Sequence, residues 1–187
     1  TTLSPLDANV VLSIGRLNPQ KQFDALLRAW ARVGAARTGW TLRIVGNGKE
    51  KETLARLADE LGITDSTEFR PATPQIADHY REAAIYVMSS RYEGLPMVLI
   101  EAKCFGLPCV SFDCPNGPGE IIRHDPDGLL VTSGDVEGLA AALRRLMTDR
   151  KLIRQFGKAA NDDAQQRFSR GNVIVQWEQL LTKITSR

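Results

Sequence analysis

The chain has few of the residues on which metal sites and disulfide frameworks depend. It contains three cysteines and two histidines among 187 residues. Cys104, Cys109 and Cys114 are odd in number and form no C-x-x-C pair, which argues against a zinc knuckle and a disulfide framework and favours a reducing setting. His79 and His124 have no acidic cluster at metal-ligand spacing beside them. We therefore expect no bound metal and no cofactor, and we interpret both histidines as surface residues.

An excess of one charge and long apolar runs are also missing. Lys and Arg total 24 against 22 Asp and Glu, a net charge of +2. No broad electrostatic field for nucleic acid is therefore predicted, and any phosphate recognition must be local. No run approaches the roughly 18 apolar residues of a membrane span, and the first residues do not read as a signal peptide. We expect a cytoplasmic protein that does not bind nucleic acid.

Apolar runs typical of strands alternate with segments of helical periodicity along the whole chain. The pattern predicts strands over 9–14, 41–45, 67–69, 85–88, 109–112 and 129–131. It predicts helices over 23–33, 54–61, 76–83, 96–105, 120–123, 136–146, 149–167 and 172–184. Continuous apolar strands that alternate with helices indicate a parallel sheet covered on both faces. The predicted fold is α/β, a Rossmann-like doubly wound parallel sheet forming a single domain over 1–187.

Four unusual loops each follow a predicted strand. They occupy residues 15–22, 46–48, 89–96 and 113–120. In a doubly wound sheet, ligands bind outside the carboxyl ends of the strands. The four loops should therefore share one edge of the sheet, and we predict that this edge is the binding site.

The segment RYEGLPMVLIE, residues 91–101, combines two carboxylates with a helix start. Pro96 suits the first helical position, because its missing amide proton would have no intrahelical partner there. Glu93 is then in the loop and Glu101 is inside the helix. Free amides at the positive end of the helix dipole stabilise an electronegative ligand group. We predict a polar ligand held between the two acids and the helix N-terminus.

Two basic residues follow the first strand. Gly15 allows a ligand to approach the backbone closely, and Arg16 and Lys21 come next in the loop. Arg presents a planar fork to a phosphate, and Lys presents a point charge. Because helix N-termini favour acids, an unpaired Arg and Lys at this position suggest an anionic ligand such as a diphosphate. The alternative is two solvated basic residues at a helix start.

Other site classes fit the residues less well. Gly46-Asn47-Gly48 lacks the third glycine of a dinucleotide fingerprint, since Lys51 stands there, so a tight turn with close helix packing is the favoured interpretation. On one continuous helix Glu93 and Glu101 would be about 12 Å apart, beyond the roughly 5–9.5 Å of glycosidase pairs. Separate binding roles for the two carboxylates fit better, with a structural role for Glu101, satisfied by neighbouring backbone, as the alternative.

Taken together, these motifs resemble the C-terminal, donor-binding domain of GT-B fold retaining glycosyltransferases of family 4, also called glycosyl transferases group 1. The resemblance runs through 11–30, 42–54, 89–122 and 127–131, and its most specific part is the Glu-x7-Glu pair formed by Glu93 and Glu101. Within the family, 89–102 and 111–122 look most like bacterial enzymes that build lipopolysaccharide, capsule, exopolysaccharide or lipid-linked oligosaccharide.

The resemblance implies transfer of a sugar from a nucleotide diphosphate sugar to an acceptor hydroxyl, with retention of configuration and without a metal. It implies that the diphosphate binds at Gly15, Arg16 and Lys21 and that the ribose binds at Glu101. The transferred sugar would bind at the catalytic residue Glu93 and at Gly94, Leu95, Pro96 and Met97. The base would bind at Pro74, Gln75 and Ile76. A UDP-sugar is the expected donor, on family frequency. The expected acceptor is a glycan or a lipid-linked glycan.

Three features depart from the family pattern or extend beyond this chain. The segment around 69–80 differs from the usual sequence, so the base contacts transfer least directly, and Lys103 and Phe105 stand where small or apolar residues are usual. The N-terminal acceptor domain of a GT-B enzyme is not in this sequence. We therefore expect a fragment that binds donor without catalysing transfer, whose parent contacts the inner face of the cytoplasmic membrane through the other domain. A non-catalytic nucleotide-sugar module, and an epimerase or phosphorylase of the same fold, are the alternatives.

Overall fold

The structure, a computed structural model, describes residues 2–185. Its centre is one sheet of six parallel strands. The strands are β1 (Val10–Ile14), β2 (Thr41–Val45), β3 (Thr67–Arg70), β4 (Ile85–Met88), β5 (Cys109–Asp113) and β6 (Gly128–Thr132). Their order across the sheet is β3-β2-β1-β4-β5-β6. The strand order reverses between β1 and β4, and such a reversal opens a ligand crevice at the carboxyl edge.

Eight α-helices connect or follow the strands within 2–185. They are α1 (Phe23–Arg32), α2 (Lys51–Glu60), α3 (Ile76–Arg81), α4 (Met97–Cys104), α5 (Pro118–Ile121), α6 (Val136–Met147), α7 (Arg150–Phe168) and α8 (Arg170–Thr185). Helix α1 packs against α2 and α6, while α4 packs against α5 and α7. Because right-handed crossovers that run in opposite directions place their helices on opposite faces, these two groups cover the two sides of the sheet. The predicted doubly wound fold is confirmed.

The core follows from strands that are apolar on both faces. All four residues of β4 are buried, and α1 contributes the buried side chains of Phe23 and Trp30. The later helices start at acidic caps: Asp135 accepts a hydrogen bond from the Gly138 amide, and Asp149 accepts from the first amides of α7. Each cap satisfies amides that have no intrahelical partner. No helix within 2–185 has the length and apolar character needed to cross a membrane.

Several element boundaries differ from the sequence prediction. Helix α4 begins at Met97, and Pro96 occupies the cap position before it, with φ −74° and ψ 87°. Pro96 therefore precedes the first helical residue, although Glu93 is in the loop and Glu101 in the helix, as predicted. Helix α5 begins at Pro118 and ends at Ile121, earlier than the predicted 120–123. Here the proline, and not Glu120, starts the turn.

Helix α8 carries apolar side chains that contact little of the rest of the chain. None of its residues is buried, and Trp177 and Ile184 are 60% and 62% exposed. The predicted last helix, 172–184, thus forms, with its apolar side chains exposed to solvent.

Candidate functional site

The loops after β1 and β2 are joined through their backbones. The Gly15 amide donates to the Val45 carbonyl at 3.0 Å, and the Leu17 amide donates to the Asn47 carbonyl at 2.9 Å. A Cβ atom on Gly46 would lie 1.9 Å from the Gly15 carbonyl oxygen. This distance is too short for any side chain, so only glycine fits at position 46. Gly46 is closely packed, but the predicted packing against a helix was wrong, because its neighbour is the backbone of the loop after β1.

The loop after β1 also contacts the loop after β4. Ser89 Oγ donates to the Lys21 carbonyl at 2.8 Å, and the Arg91 amide donates to the Gln20 carbonyl at 2.9 Å. The Gln20 side-chain amide donates to the Tyr92 carbonyl at 3.1 Å. These bonds hold the segment that carries Glu93 against the segment that carries Lys21.

The loop after β5 completes the edge. Gly117 has a φ of 104°, and a Cβ there would lie 2.4 Å from Pro96 Cδ and 2.9 Å from the Gly94 carbonyl oxygen. Pro96 itself is buried, while Gly94, Leu95 and Met97 are exposed. The four loops predicted to share one edge therefore form one continuous surface at the carboxyl ends of β2, β1, β4 and β5.

Lys21 and Glu93 form an ion pair at the centre of this surface. Lys21 Nζ lies 2.6 Å from Glu93 Oε1, and the two side chains are 18% and 9% exposed. The absence of a side chain on Gly15 leaves room for the Lys21 stem, since a Cβ there would lie 3.2 Å from Lys21 Cγ. The expectation of an unpaired lysine was wrong, because the loop contacts place a carboxylate within its reach. Arg16 is exposed and forms no ion pair with residues 2–185.

Glu101 is held by an aromatic residue from α3. The Tyr80 hydroxyl donates to Glu101 Oε2 at 2.8 Å. The Tyr80 ring is 1% exposed and stacks on Phe105, with ring centroids 5.1 Å apart and an angle of 10° between the planes. The partner of Glu101 is thus a side chain, and not the neighbouring backbone considered from the sequence.

Tyr86 is a second buried tyrosine, and the charges of both acids act on it. Tyr86, on β4, is fully buried, and its hydroxyl lies 3.4 Å from the backbone nitrogen and oxygen of Ile14. Burial raises the pKa of Tyr86 well above its ordinary value, and the negative charges of Glu101 and Glu93 raise that pKa further. Both carboxylates therefore act on a group located between β1 and β4, where the strand order reverses.

A mainly apolar cleft of about 390 Å³ opens beside Arg16. Its lining residues are Ile14, Gly15, Arg16, Val45, Gly46, Asn47, Ala72, Thr73 and Ile76. Of the predicted base-binding residues, Ile76 lines the cleft, whereas Pro74 and Gln75 are exposed and lie outside its lining.

Sequence reasoning missed Val45, Asn47, Ala72 and Thr73 as part of this cleft. The signal available for them was their position at the end of β2 or shortly after β2 and β3, at the predicted binding edge. Asn47 also joins the two segments, because its side-chain oxygen accepts from the Ala72 amide at 3.2 Å. A larger cleft of about 460 Å³ lies at the amino ends of β2 and β3. This cleft is remote from the four loops that share the carboxyl edge. Because doubly wound sheets bind ligands at the carboxyl edge, we do not assign this cleft to the site.

Lys103 is fully buried in an ionic network behind α4. Its ammonium group donates to Asp163 Oδ2 at 2.5 Å, to the Ile121 carbonyl at 2.6 Å and to Asp127 Oδ2 at 3.0 Å. Burial raises the pKa of Asp127, while Lys103 opposes that increase. The unusual lysine thus joins α4 to α7 and to the segment after α5.

The two histidines lie outside this arrangement. His124 is exposed, as expected, and its Nδ1 accepts a hydrogen bond from the Leu130 amide at 3.1 Å. His79 is half-buried, and burial lowers its pKa. The expectation of a surface residue therefore holds for His124 and only in part for His79.

Comparisons with known proteins agree on one group. The family model described as glycosyl transferases group 1 matches residues 2–163. The amylovoran biosynthesis glycosyltransferase AmsD of Erwinia amylovora is 38% identical over 92% of this chain and 48% of its own length. An exopolysaccharide phosphotransferase of Streptomyces coelicolor is 38% identical over 98% of this chain and 20% of its own length. The chain thus spans about half of one relative and a fifth of the other.

Solved structures agree on the fold. The pneumococcal O-GlcNAc transferase GtfA, determined in complex with UDP and GlcNAc, superposes with a TM-score of 0.86 at 22% sequence identity. The match covers 100% of this chain and 38% of GtfA. At this level of identity the likeness shows the architecture, a C-terminal GT-B domain.

Proposed function

Because this chain belongs to the glycosyl transferases group 1 family, we propose that it is the donor-binding half of a glycosyltransferase. The proposed reaction moves a sugar from a nucleotide diphosphate sugar, preferably a UDP-sugar, to a glycan or lipid-linked acceptor with retention of configuration. The observation that carries the proposal is that two cations, two carboxylates and one apolar cleft lie along the same carboxyl edge of the sheet. The names of AmsD and of the exopolysaccharide relative support a role in bacterial surface polysaccharide synthesis.

The diphosphate is assigned to Arg16 and Lys21. Arg16 lines the cleft and has no ion pair within 2–185, so its guanidinium fork is available to phosphate oxygens. Lys21 gives one N–H to Glu93, and an ammonium group has two further N–H donors for a phosphate. Two fixed positive charges stabilise the negative charge that develops on the leaving diphosphate.

Glu93 and the start of α4 are assigned to the transferred sugar. One carboxylate oxygen of Glu93 is held by Lys21, which orients the other oxygen for a sugar hydroxyl or for positive charge developing at the reacting carbon. The exposed residues Gly94, Leu95 and Met97 offer backbone amides at the positive end of the α4 dipole. Pro96 offers no amide proton and keeps this loop packed against Gly117.

Glu101 and the cleft are assigned to the nucleoside. A carboxylate accepts two hydrogen bonds from a ribose diol without changing its protonation state. The apolar walls of the cleft, with Ile14, Val45 and Ile76, suit one flat face of a base. UDP in the GtfA complex supports uracil as the base.

The parent protein is proposed to place its acceptor domain against this edge and against the exposed helix α8. The relatives' greater length supports a second half. We expect the 187-residue chain alone to bind donor without transferring sugar, since the acceptor side of the site is absent from it. Measurable sugar transfer by this chain, in a radiolabel or mass-spectrometric assay, would contradict that expectation.

Calorimetric titration with UDP, GDP, ADP and their sugar conjugates tests the donor site. Wild-type protein should bind one of the diphosphates, and Lys21→Ala should weaken binding of that diphosphate about tenfold or more. Binding of the matching nucleoside should change less than about twofold. Lys158→Ala, at an exposed lysine on α7, is the matched control. Failure of the folded chain to bind any nucleotide would refute the proposal, and equal losses for nucleoside and diphosphate would refute the phosphate assignment.

A further inference from the structure

Tyr80 holds the Glu101 carboxylate through a buried hydrogen bond. The bond from its hydroxyl to Glu101 Oε2 is 2.8 Å long, and the ring that carries the hydroxyl is almost completely buried. Stacking on Phe105 sets the plane of that ring, and the ring also contacts Tyr86, with centroids 6.0 Å apart. Glu101 lies in the middle of α4 and Phe105 is the cap residue that follows it; the two are four residues apart and occupy one face of this segment. The ring and the carboxylate are therefore positioned by the same helix.

The helix that carries Tyr80 also reaches the cleft. Ile76 lines the cleft beside Arg16, and it is four residues before Tyr80 on α3. Residues with this spacing project from the same face of a helix. Helix α3 consequently connects the wall of the proposed base site with the residue that holds the proposed ribose carboxylate.

The chemistry of the pair is that of a fixed donor and a charged acceptor. Burial raises the pKa of Tyr80 well above its ordinary value, and the nearby Tyr86 and Glu101 raise it further. The hydroxyl thus stays protonated at neutral pH and donates to Glu101. Within 2–185, Glu101 Oε1 receives no hydrogen bond, so one oxygen is held and the other is available.

We propose that Tyr80 is a positioning residue for nucleotide binding. It holds Glu101 Oε2 so that the other carboxylate oxygen faces the 2′,3′-diol of a nucleotide whose base lies beside Ile76. This inference rests on the donor-binding function proposed above. Its consequence is that Tyr80 contributes to affinity only for ligands that carry the ribose diol, although it touches no ligand itself. A purely structural tyrosine would affect all nucleotides alike.

The test compares UDP with 2′,3′-dideoxy-UDP in calorimetric titrations of the 187-residue chain. Wild type should bind UDP about tenfold or more tightly than the dideoxy analogue. Tyr80→Phe keeps the stacked ring and removes the hydroxyl. It should weaken UDP about three- to tenfold and the dideoxy analogue less than about twofold. Glu101→Ala should abolish the preference for UDP, and Tyr80→Phe in that background should add no further loss.

Tyr86→Phe is the matched control, because it also removes a buried phenolic hydroxyl, one that contacts the Ile14 backbone and not Glu101. It should leave the ratio of UDP to dideoxy-UDP affinity unchanged. If Glu101→Ala lowers that ratio and Tyr80→Phe leaves it unchanged, the role of Tyr80 is wrong while the ribose assignment stands. If Glu101→Ala leaves the ratio unchanged, the ribose assignment is wrong and the role of Tyr80 with it. If the wild type binds none of UDP, GDP and ADP, the donor assignment is wrong and the role of Tyr80 with it. Equal weakening of both ligands by Tyr80→Phe would also overturn the inference.

Discussion

Replacing Lys103 with Met should destabilise this domain severely, because it removes the positive charge from a buried ionic network. Lys103 is 0% exposed, and its partners Asp127 and Asp163 are 1% and 4% exposed. Removing one partner of a buried ion pair costs about 3–5 kcal/mol, since the remaining charge is left in a medium that solvates it poorly. In a domain of this size each kcal/mol shifts the melting temperature by about 2–4 °C, so we expect a decrease of about 6–20 °C.

The effect of Lys103→Met should also depend on pH, with a defined sign. In the wild type, burial raises the pKa of Asp127 and Lys103 opposes the increase. Without Lys103, the folded-state pKa of Asp127 rises further above the unfolded value of about 3.9. A raised carboxylate pKa penalises the folded state most at neutral pH, and the penalty disappears as the pH falls through that raised value. Arg123 and Arg167 still face Asp163, so the pH dependence should come mainly from Asp127.

Denaturant unfolding and calorimetry at pH 7.5 and pH 5 measure both effects. The control is Lys158→Met, which removes an 81% exposed lysine paired with Asp162 on the surface of α7 and should change stability by about 0.5 kcal/mol or less. Adding Asp127→Asn to Lys103→Met should recover part of the loss, because it removes one of the unpaired charges. The reasoning would be refuted by a Lys103→Met variant within about 1 kcal/mol of wild type at pH 7.5, or by a loss that grows as the pH falls.

Two glycines should be equally intolerant of a side chain, each for a different reason. Gly46→Ala should destabilise the domain by about 1–3 kcal/mol or more, because its Cβ would overlap the Gly15 carbonyl; Gly171→Ala, where a Cβ meets nothing within 4 Å, is the control in thermal unfolding. Gly117→Ala combines a φ of 104° with a clash against Pro96, so it should shift the loop that carries Glu93. It should weaken nucleotide-sugar binding more than nucleoside binding in calorimetry, and an equal effect on both would contradict the assigned position of the loop.

Local patterns were sufficient for the fold and for the meeting of the four loops at one edge of the sheet. Apolar strands of three to six residues, each followed by a segment of helical periodicity, identify the parallel sheet, and the carboxyl ends of parallel strands must meet at one edge. The positions of Glu93 in a loop and Glu101 in a helix followed from Pro96 in the same way. The observed helix starts differ from the predicted starts by one or more residues where a cap residue or a proline determines the first helical residue, as at Met97 and Pro118.

The partners of the charged residues could not be predicted from those patterns. Lys21 and Glu93 are 72 residues apart in sequence, and Tyr80 and Glu101 are 21 apart. The bonds from Lys103 span 24 and 60 residues. Residue type and local period carry no information about which distant side chains meet.

The sequence by itself therefore determined a doubly wound domain and one sheet edge that carries two acids and two cations, because both depend on local periodicity and on strand direction. Only the tertiary structure decided that Lys21 neutralises Glu93, that Tyr80 holds Glu101, and that the cleft uses residues after β2 and β3. Those choices depend on loop packing and on the backbone approach that Gly15, Gly46 and Gly117 permit. They arise only when separate segments are brought together at one edge.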